Sequence, residues 1–459
     1  MVTPIDERTD ASRPGSVSGD LLRAIAASLA ADDHATLVGL VDGFQTADIA
    51  TIIELLDGPI RVPFILALGD RLDVDVFSEL DETVRDSVRS ALPKAYLARA
   101  IGELDTDDAT YVLDGLEEPE RRAVLDQLSA RDRSALLRNL EYPEETAGHI
   151  MQADVVAVPP FWTVDQVIDF LRGNDDLPDR FSELFVVDPT FRVLGAVSLS
   201  KLLRVPAGTS VAEIMDSSIK PVLATEDQED VARRFKRYDL MSAPVVDESA
   251  RLVGVITVDD VVEVIQDEAD EDIRLLGGVG DESLLDTVLD AARSRFTWLL
   301  LNMFTAILAS SVISLFDASI EQMVALAVLM PIVASMGGNA GTQTMTVAVR
   351  ALGTKDLSAV NASRVILRES SIGLVNGLVF ATLLGTVTFI WFGSGALGLV
   401  IGSAMIFNLC VAALAGIVIP LVLDRVGFDP AIASGVFLTT ITDVVGFFVF
   451  LGLATIWLL

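Results

Sequence analysis

Two kinds of carboxylate in this sequence could do chemistry: one that stands alone in an apolar stretch, and many that crowd together outside it. Asp443 lies in FLTTITDVVGFFVFLGLATIWLL, residues 437–459, where every other residue is apolar, a glycine or a threonine. An acid at mid-membrane costs about 2.5 to 3.5 kcal/mol on insertion scales, so Asp443 is expected to face water or a cation rather than lipid. Gly435, Thr439, Thr440 and Gly446 share its side of a helix and make a small polar stripe. A second polar set lies in MPIVASMGGNAGTQTMTVAVR, residues 330–350, where Ser335, Asn339, Thr342, Gln343 and Thr346 follow steps of three and four. In the same stretch Pro331 removes a helix hydrogen bond, and Gly337, Gly338 and Gly341 permit a close backbone approach or a local break.

These residue types suit a cation. No Lys, Arg or His lies within the apolar runs to pair with Asp443, so its counter-charge has to come from outside the chain. Mg²⁺ is a hard ion that takes oxygen ligands and gives up water reluctantly, and one carboxylate with hydroxyls and amides could hold it through its hydration shell. Monovalent cations fit as well, and spacing alone does not choose between them. The plainer alternative is helix–helix packing, with small residues in contact and amides bonded across the interface. A membrane protease fits poorly. The only histidines are His34 and His149, outside the apolar runs, and a single deep acid makes no aspartyl pair. An anion channel would line its pore with bases or helix N-termini. A membrane-bound nucleotide sensor predicts that Asp443→Asn is silent.

The elements that must position these groups begin with five apolar runs at about 296–315, 323–349, 371–392, 396–423 and 431–458, each long enough to cross a bilayer. Arg293 and Arg295 precede the first run. Arg350, Lys355, Arg364 and Arg368 fill the loop after the second, and Arg425 lies in the loop after the fourth. Positive charge stays inside, which predicts a cytosolic N-terminus and an extracytoplasmic C-terminus in a prokaryotic cell membrane. The opening MVTPIDERTDASRPGSVSGD has no apolar core of a signal peptide, in keeping with that orientation. Cys410, the sole cysteine, sits in an apolar run and reads as a packing residue.

Residues 296–459 carry seven acids and five bases, which leaves fifty-nine acids and twenty-eight bases in residues 1–295, a net of −31. Such a front argues against nucleic acid, whose phosphates need clustered Lys and Arg. It suits cations. The scarcity of lysine, five of the thirty-three bases, fits adaptation to a salty cytoplasm equally well.

After a disordered tail at 1–19, residues 20–145 carry a leucine every twelve positions: Leu56, Leu68, Leu80, Leu92, Leu104, Leu116, Leu128 and Leu140. Arg85, Arg121 and Arg133 each follow five residues after one of these leucines. Short helices joined by tight connections and stacked into an α-solenoid explain the period. VVDPTFRVLGAVSLSKLL (186–203) then parallels VVDESARLVGVITVDDVV (245–262), with Asp188 over Asp247 and Gly195 over Gly254. Ile150-Met151 parallels Ile214-Met215, and the polar GNDDLPD stretch accounts for extra residues in the first copy. The pattern resembles a tandem pair of α/β CBS domains, at 146–208 and 209–268, and that resemblance permits ATP between the copies. An acidic amphipathic segment at 269–295, broken at Gly277-Gly278, connects to an all-α membrane domain at 296–459.

PIVASMGGNAGTQT and DPAIASGVFLTTITD, in this order of parts, resemble the MgtE family of magnesium transporters over about residues 20–459. The resemblance implies a homodimer with a pore along the subunit interface and a connecting helix that acts as a plug. It implies an Mg²⁺ channel closed by cytosolic Mg²⁺, with transport of Mn²⁺ or Co²⁺, or coupled Mg²⁺ carriage, as alternatives. Carried over by position, Asp443, Asn339 and Thr439 line the pore. Asp108, Glu229, Asp239, Asp260, Glu263, Glu268, Glu271, Asp272 and Asp429 are the regulatory acids. Two departures stand out: Val436 where relatives often have Pro, and Gly435 where some have Asn.

Overall fold

The computed structural model describes residues 17–174, 177–178, 180–280, 288–358 and 360–458. The expected tail before residue 17, three residues of the GNDDLPD stretch and positions 281–287 of the connecting segment lie outside them. The chain forms two compact units, Met1–Gln266 and Asp267–Leu459.

Among the described residues the first unit opens with nine α-helices: α1 (Gly19–Ala30), α2 (His34–Val41), α3 (Thr46–Leu55), α4 (Gly58–Leu68), α5 (Glu82–Ala91), α6 (Lys94–Glu103), α7 (Thr106–Asp114), α8 (Glu118–Leu125) and α9 (Ala130–Asn139). The twelve-residue leucine period marks the ends of these helices. Leu56, Leu92 and Leu104 cap α3, α5 and α6 in extended conformation, so the chain turns while the side chain drops into the core. All eight leucines join one apolar cluster with Ile52, Phe64, Val84 and Val112. One unit departs from the helical expectation: residues 69–80 form two 3₁₀ turns, which begin at Gly69 with φ +54°. The three arginines share no role. Arg85 is buried with its guanidinium 3.6 Å from the Tyr111 ring centroid, whereas Arg121 and Arg133 pair with Glu118 and Asp126 on the surface.

Two matched α/β halves follow. The first holds β1 (Ala157–Val158), α10 (Val164–Gly173), β2 (Glu183–Val187), β3 (Val193–Ser198), α11 (Leu199–Leu202) and α12 (Val211–Ile214). The second holds β4 (Val222–Leu223), α13 (Gln228–Tyr238), β5 (Ser242–Val246), β6 (Leu252–Thr257) and α14 (Val258–Gly277), which runs on into the second unit. In each sheet the short strand is parallel to the middle one and the third is antiparallel to it. The Asp188 and Asp247 carboxylates each accept two backbone N–H groups in equivalent turns, from Thr190 and Arg192 and from Ser249 and Arg251. The halves also exchange their leading segments. Asp216 exchanges both backbone bonds with Ala196 of the first half, and Gln152 does so with Val255 of the second. Gly195 and Gly254 are required at these crossings, because a Cβ there would fall 2.6 Å from the Asp216 carbonyl or the Met151 sulfur.

In the second unit α14 ends at Gly277, and Gly278 has φ +68°, the expected break. Five long apolar helices follow: α15 (Val288–Ser314), α17 (Ala325–Gly353), α18 (Ala362–Phe392), α19 (Gly395–Val426) and α20 (Pro430–Leu458), with the short α16 (Asp317–Gln322) after the first. Each can cross a bilayer by length and composition. Small residues draw α18 and α19 together. A Cβ on Gly398 would meet the Gly385 carbonyl at 2.7 Å, one on Gly373 the Leu409 carbonyl at 2.9 Å and one on Gly377 the Ile406 Cα at 3.1 Å. α17 is unbroken through Pro331 and the Gly337-Gly338 pair; Gly337 and Gly341 serve close approach, whereas Gly338 faces open space, and none makes a break.

Candidate cation sites

On α17 the inner and outer faces separate cleanly. Val333, Gly337, Gly341, Thr344, Met345 and Ala348 are buried against the bundle, whereas Ser335, Asn339, Thr342, Gln343 and Thr346 are exposed. The polar stripe therefore lies on the open side of a single chain, with Asn339 Nδ2 3.5 Å from Ser335 Oγ. On α20, Thr439 is exposed and its hydroxyl donates to the Gly435 and Val436 carbonyls, while Asp443 is half-buried. Gly446 departs from the expected stripe and packs inward against Asn408 of α19.

Two crossing points fix the heights of these helices. Leu438 of α20 covers Gly341 of α17, where a Cβ would sit 2.7 Å from its Cδ1. Eight residues (about two turns) further along α20 and four residues back along α17, Gly446 and Gly337 flank the same Asn408 side chain. Asp443 lies between the two crossing points on α20, and Asn339 lies between them on α17. The helices run antiparallel, so the stretch between the crossing points holds Asp443 on one helix and Asn339 on the other. Asn408 is fully buried and bonded to the Val333 carbonyl at 2.8 Å. The sequence reading does not include it; an asparagine in an apolar run is its only signal there.

The soluble acids meet where α7 packs near α14. Gln152 Nε2 lies 3.2 Å from Asp107 Oδ2 and 3.5 Å from Asp260 Oδ2, and Asp107 Oδ1 is buried with no hydrogen-bond partner. Burial, then the charges of Asp260 and Asp108, hold Asp107 protonated well above the usual carboxylate range. Asp108 is pushed up to about 7 by burial and by Glu263, Asp260 and Asp75. Burial also raises Asp260, against hydrogen bonds from Thr257 that favour its charge. These buried acids raise one another's pKa and one keeps an orphaned oxygen, but among the described residues no three acid, His or Cys side chains converge closely enough to hold a metal ion as they stand. Asp107 is the member that sequence reading misses, next to the residue it selects.

The other expected acids are placed differently. Glu229 pairs with Arg233 at 2.5 Å on α13, and Asp239 ends that helix in left-handed conformation, its backbone N–H donating to the Phe235 carbonyl. Asp429 accepts from the Ala431 N–H at 2.7 Å and caps α20. Glu268, Glu271 and Asp272 follow on α14 at helical spacing, in the second unit. Behind the cluster, His149 Nε2 and Asp114 lie 2.7 Å apart. Burial, the largest single influence, presses the imidazole pKa down, but the bond and charge of Asp114 together with Tyr142 and Glu144 leave it raised.

Between the two α/β halves lies a narrow cleft of about 30 Å³ lined by Arg180, Phe181, Ser182, Glu183 and Ser242, and a 3.0 Å bond from the Ser242 hydroxyl to Glu183 closes it. That volume is roughly the share of one water, whereas drug-sized ligands take about 300 Å³ or more. The cleft carries hydroxyl and guanidinium donors of the kind that bind ribose and phosphate, but it must open to hold a nucleotide.

Residues 330–453 match the family model MgtE, described as a divalent cation transporter. Residues 44–145 match the MgtE intracellular N domain, and residues 147–208 and 211–267 match the CBS domain. The chain is 31% identical to the magnesium transporter MgtE of Bacillus subtilis over 417 residues, 91% of this chain and 92% of that protein. It is 33% identical to the magnesium transporter MgtE of Thermus thermophilus over 451 residues, 92% of this chain and 98% of that protein. Among solved structures, the cytosolic domain of the Mg²⁺ channel MgtE in complex with ATP is similar with TM-score 0.50 and 31% identity, covering 53% of this chain and 99% of that one.

Proposed function

Because this chain belongs to the MgtE family of divalent cation transporters, we propose that it carries Mg²⁺ inward across the cell membrane, down its electrochemical gradient, and closes when Mg²⁺ binds its acidic cytosolic face. The observation that carries this reading is that Asp443, half-buried, and Asn339, exposed, lie between the same two crossing points of α20 and α17. Asp443 supplies the single negative charge. Asn339 and Thr439 offer an amide and a hydroxyl to the waters of a hydrated ion, so the ion crosses without shedding its shell. The exposed stripes of α17 and α20 would meet those of a second copy across a homodimer axis, enclosing the path, while the remaining apolar faces meet lipid. The N-terminus is cytosolic and the C-terminus extracytoplasmic in this reading.

Closure follows from charge. With little Mg²⁺ inside, Asp107, Asp108, Asp260 and Glu263 cannot all stay charged side by side, and a bound divalent ion that displaces their protons makes their approach favourable. Glu268, Glu271 and Asp272 extend the same acidic helix toward the membrane domain and form the second part of the sensor. ATP is a further regulator in this reading, at the cleft between Glu183 and Ser242 once that bond opens. The test is Mg²⁺ uptake into proteoliposomes with a trapped indicator and an imposed negative interior. Uptake by the wild-type protein that stops when Mg²⁺ rises on the cytosolic face supports both parts. Folded protein with no uptake at low cytosolic Mg²⁺ overturns the transport reading.

A further inference from the structure

We propose that Asn408 is the positioning residue of the conducting seam, fixing α17 against α20 so that Asn339 and Asp443 stay within the same stretch of the seam; the inference rests on the transport reading above. Asn408 lies fully buried in the middle of α19. Its Nδ2 donates to the Val333 carbonyl of α17 at 2.8 Å. The amide fills a gap made by two glycines, one on each helix of the seam. A Cβ on Gly446 would come within 2.9 Å of Nδ2, and one on Gly337 would overlap it outright. A single side chain from a third helix thus sets the spacing and height of both others.

Packing alone does not call for an amide there. The Asn408 Oδ1 is buried with no hydrogen-bond partner, so the residue leaves half of its polar capacity unmet in an apolar interior. Leucine, with the same number of side-chain heavy atoms but more bulk, would carry no such polar cost. The amide contributes one directional bond that leucine lacks, from α19 to the backbone of α17, four residues before Gly337. That bond stops α17 from sliding along the bundle. Sliding by one residue would displace Asn339 by about 1.5 Å relative to Asp443. A hydrated ion held by one carboxylate and one amide is sensitive to such a shift.

The test compares wild type, Asn408→Leu, Asn408→Ala and Asn408→Ala/Gly446→Ala in proteoliposomes, reading Mg²⁺ uptake and the ratio of Co²⁺ to Mg²⁺ uptake. A second readout needs no transport. In a Cys410→Ala background, Asn339→Cys and Asp443→Cys are joined with a short bifunctional thiol reagent, with and without Asn408→Leu. The expected result is a leucine variant that folds, loses uptake by about tenfold, shifts the ion ratio and cross-links less. Rescue of the alanine variant by the added Gly446→Ala methyl would assign the effect to filled space, overturning the directional bond. Wild-type uptake, ratio and cross-linking in Asn408→Leu would overturn the proposal. Should the leucine variant fail to fold, Asn408→Ala decides by the same readouts. If wild type moves no ion, the transport reading fails while the cross-link still tests the positioning.

Discussion

Asp107 and Asp260 come from helices α7 and α14, more than 150 residues apart in sequence, yet the Gln152 amide reaches both carboxylates at 3.2 and 3.5 Å. Together with Asp108 and Glu263 they make an assembly whose stability depends on how its charge is neutralised. A proton can do this, and so can a divalent cation. The two should therefore compete, and the outcome can be measured.

Without Mg²⁺, the packing of α7 near α14 should weaken as the pH rises. A carboxyl whose pKa is raised on folding stabilises the folded form while it keeps its proton. That contribution is complete below the ordinary value of 3.8 and is lost as pH climbs through about 7 for Asp108. Thermal melting or limited proteolysis of the full chain in chelator should show stability falling from about pH 4 to about pH 7 and levelling off above that, and millimolar Mg²⁺ should flatten the slope. Asp108→Asn should flatten it without Mg²⁺. A slope unchanged by either would remove the cluster from the sensor.

Asp443→Ala should abolish Mg²⁺ uptake while the protein still elutes and melts as wild type does, because Asp443 is half-buried and makes no ion pair among the described residues. Asp443→Asn should do the same, since an amide keeps the shape and removes the charge. Near-normal uptake in either variant would end the assignment of the pore acid.

Neutralising Glu268, Glu271 and Asp272 together should leave conduction intact and raise the Mg²⁺ level needed for closure by about tenfold or more, as the sensor loses three charges on one helix face. Closure at the wild-type level would show that α14 takes no part beyond Gln266.

Glycine substitutions in the bundle should separate by what a methyl would strike. A Cβ on Gly416 would lie 2.7 Å from the Gly341 carbonyl, which is backbone and cannot turn aside, so Gly416→Ala should cost about 1 to 3 kcal/mol. Gly435→Ala meets only Met345 Cε at 4.0 Å and should melt like wild type. Melting in detergent checks both; equal effects would contradict the packing described.

Much of this molecule is legible in its sequence because local physics repeats. The leucine period reports helices that end every twelve residues, since each end must place one apolar side chain in a shared core. The paired Asp188 and Asp247 turns follow from local hydrogen bonds, and the apolar runs follow from the thickness of a bilayer. Even the polar face of α17 is readable, because helical period alone separates Asn339 from Gly337.

Contacts between distant segments set the rest. Gly446 faces inward, although spacing groups it with Asp443, because the Asn408 side chain needs its space. Asp107 rather than Asp108 is the more buried acid because of how α7 packs near α14, and Glu229 is taken up by Arg233 instead. Residue type limits what a side chain can bond to. Which partner it meets is fixed by packing across elements that the sequence does not place.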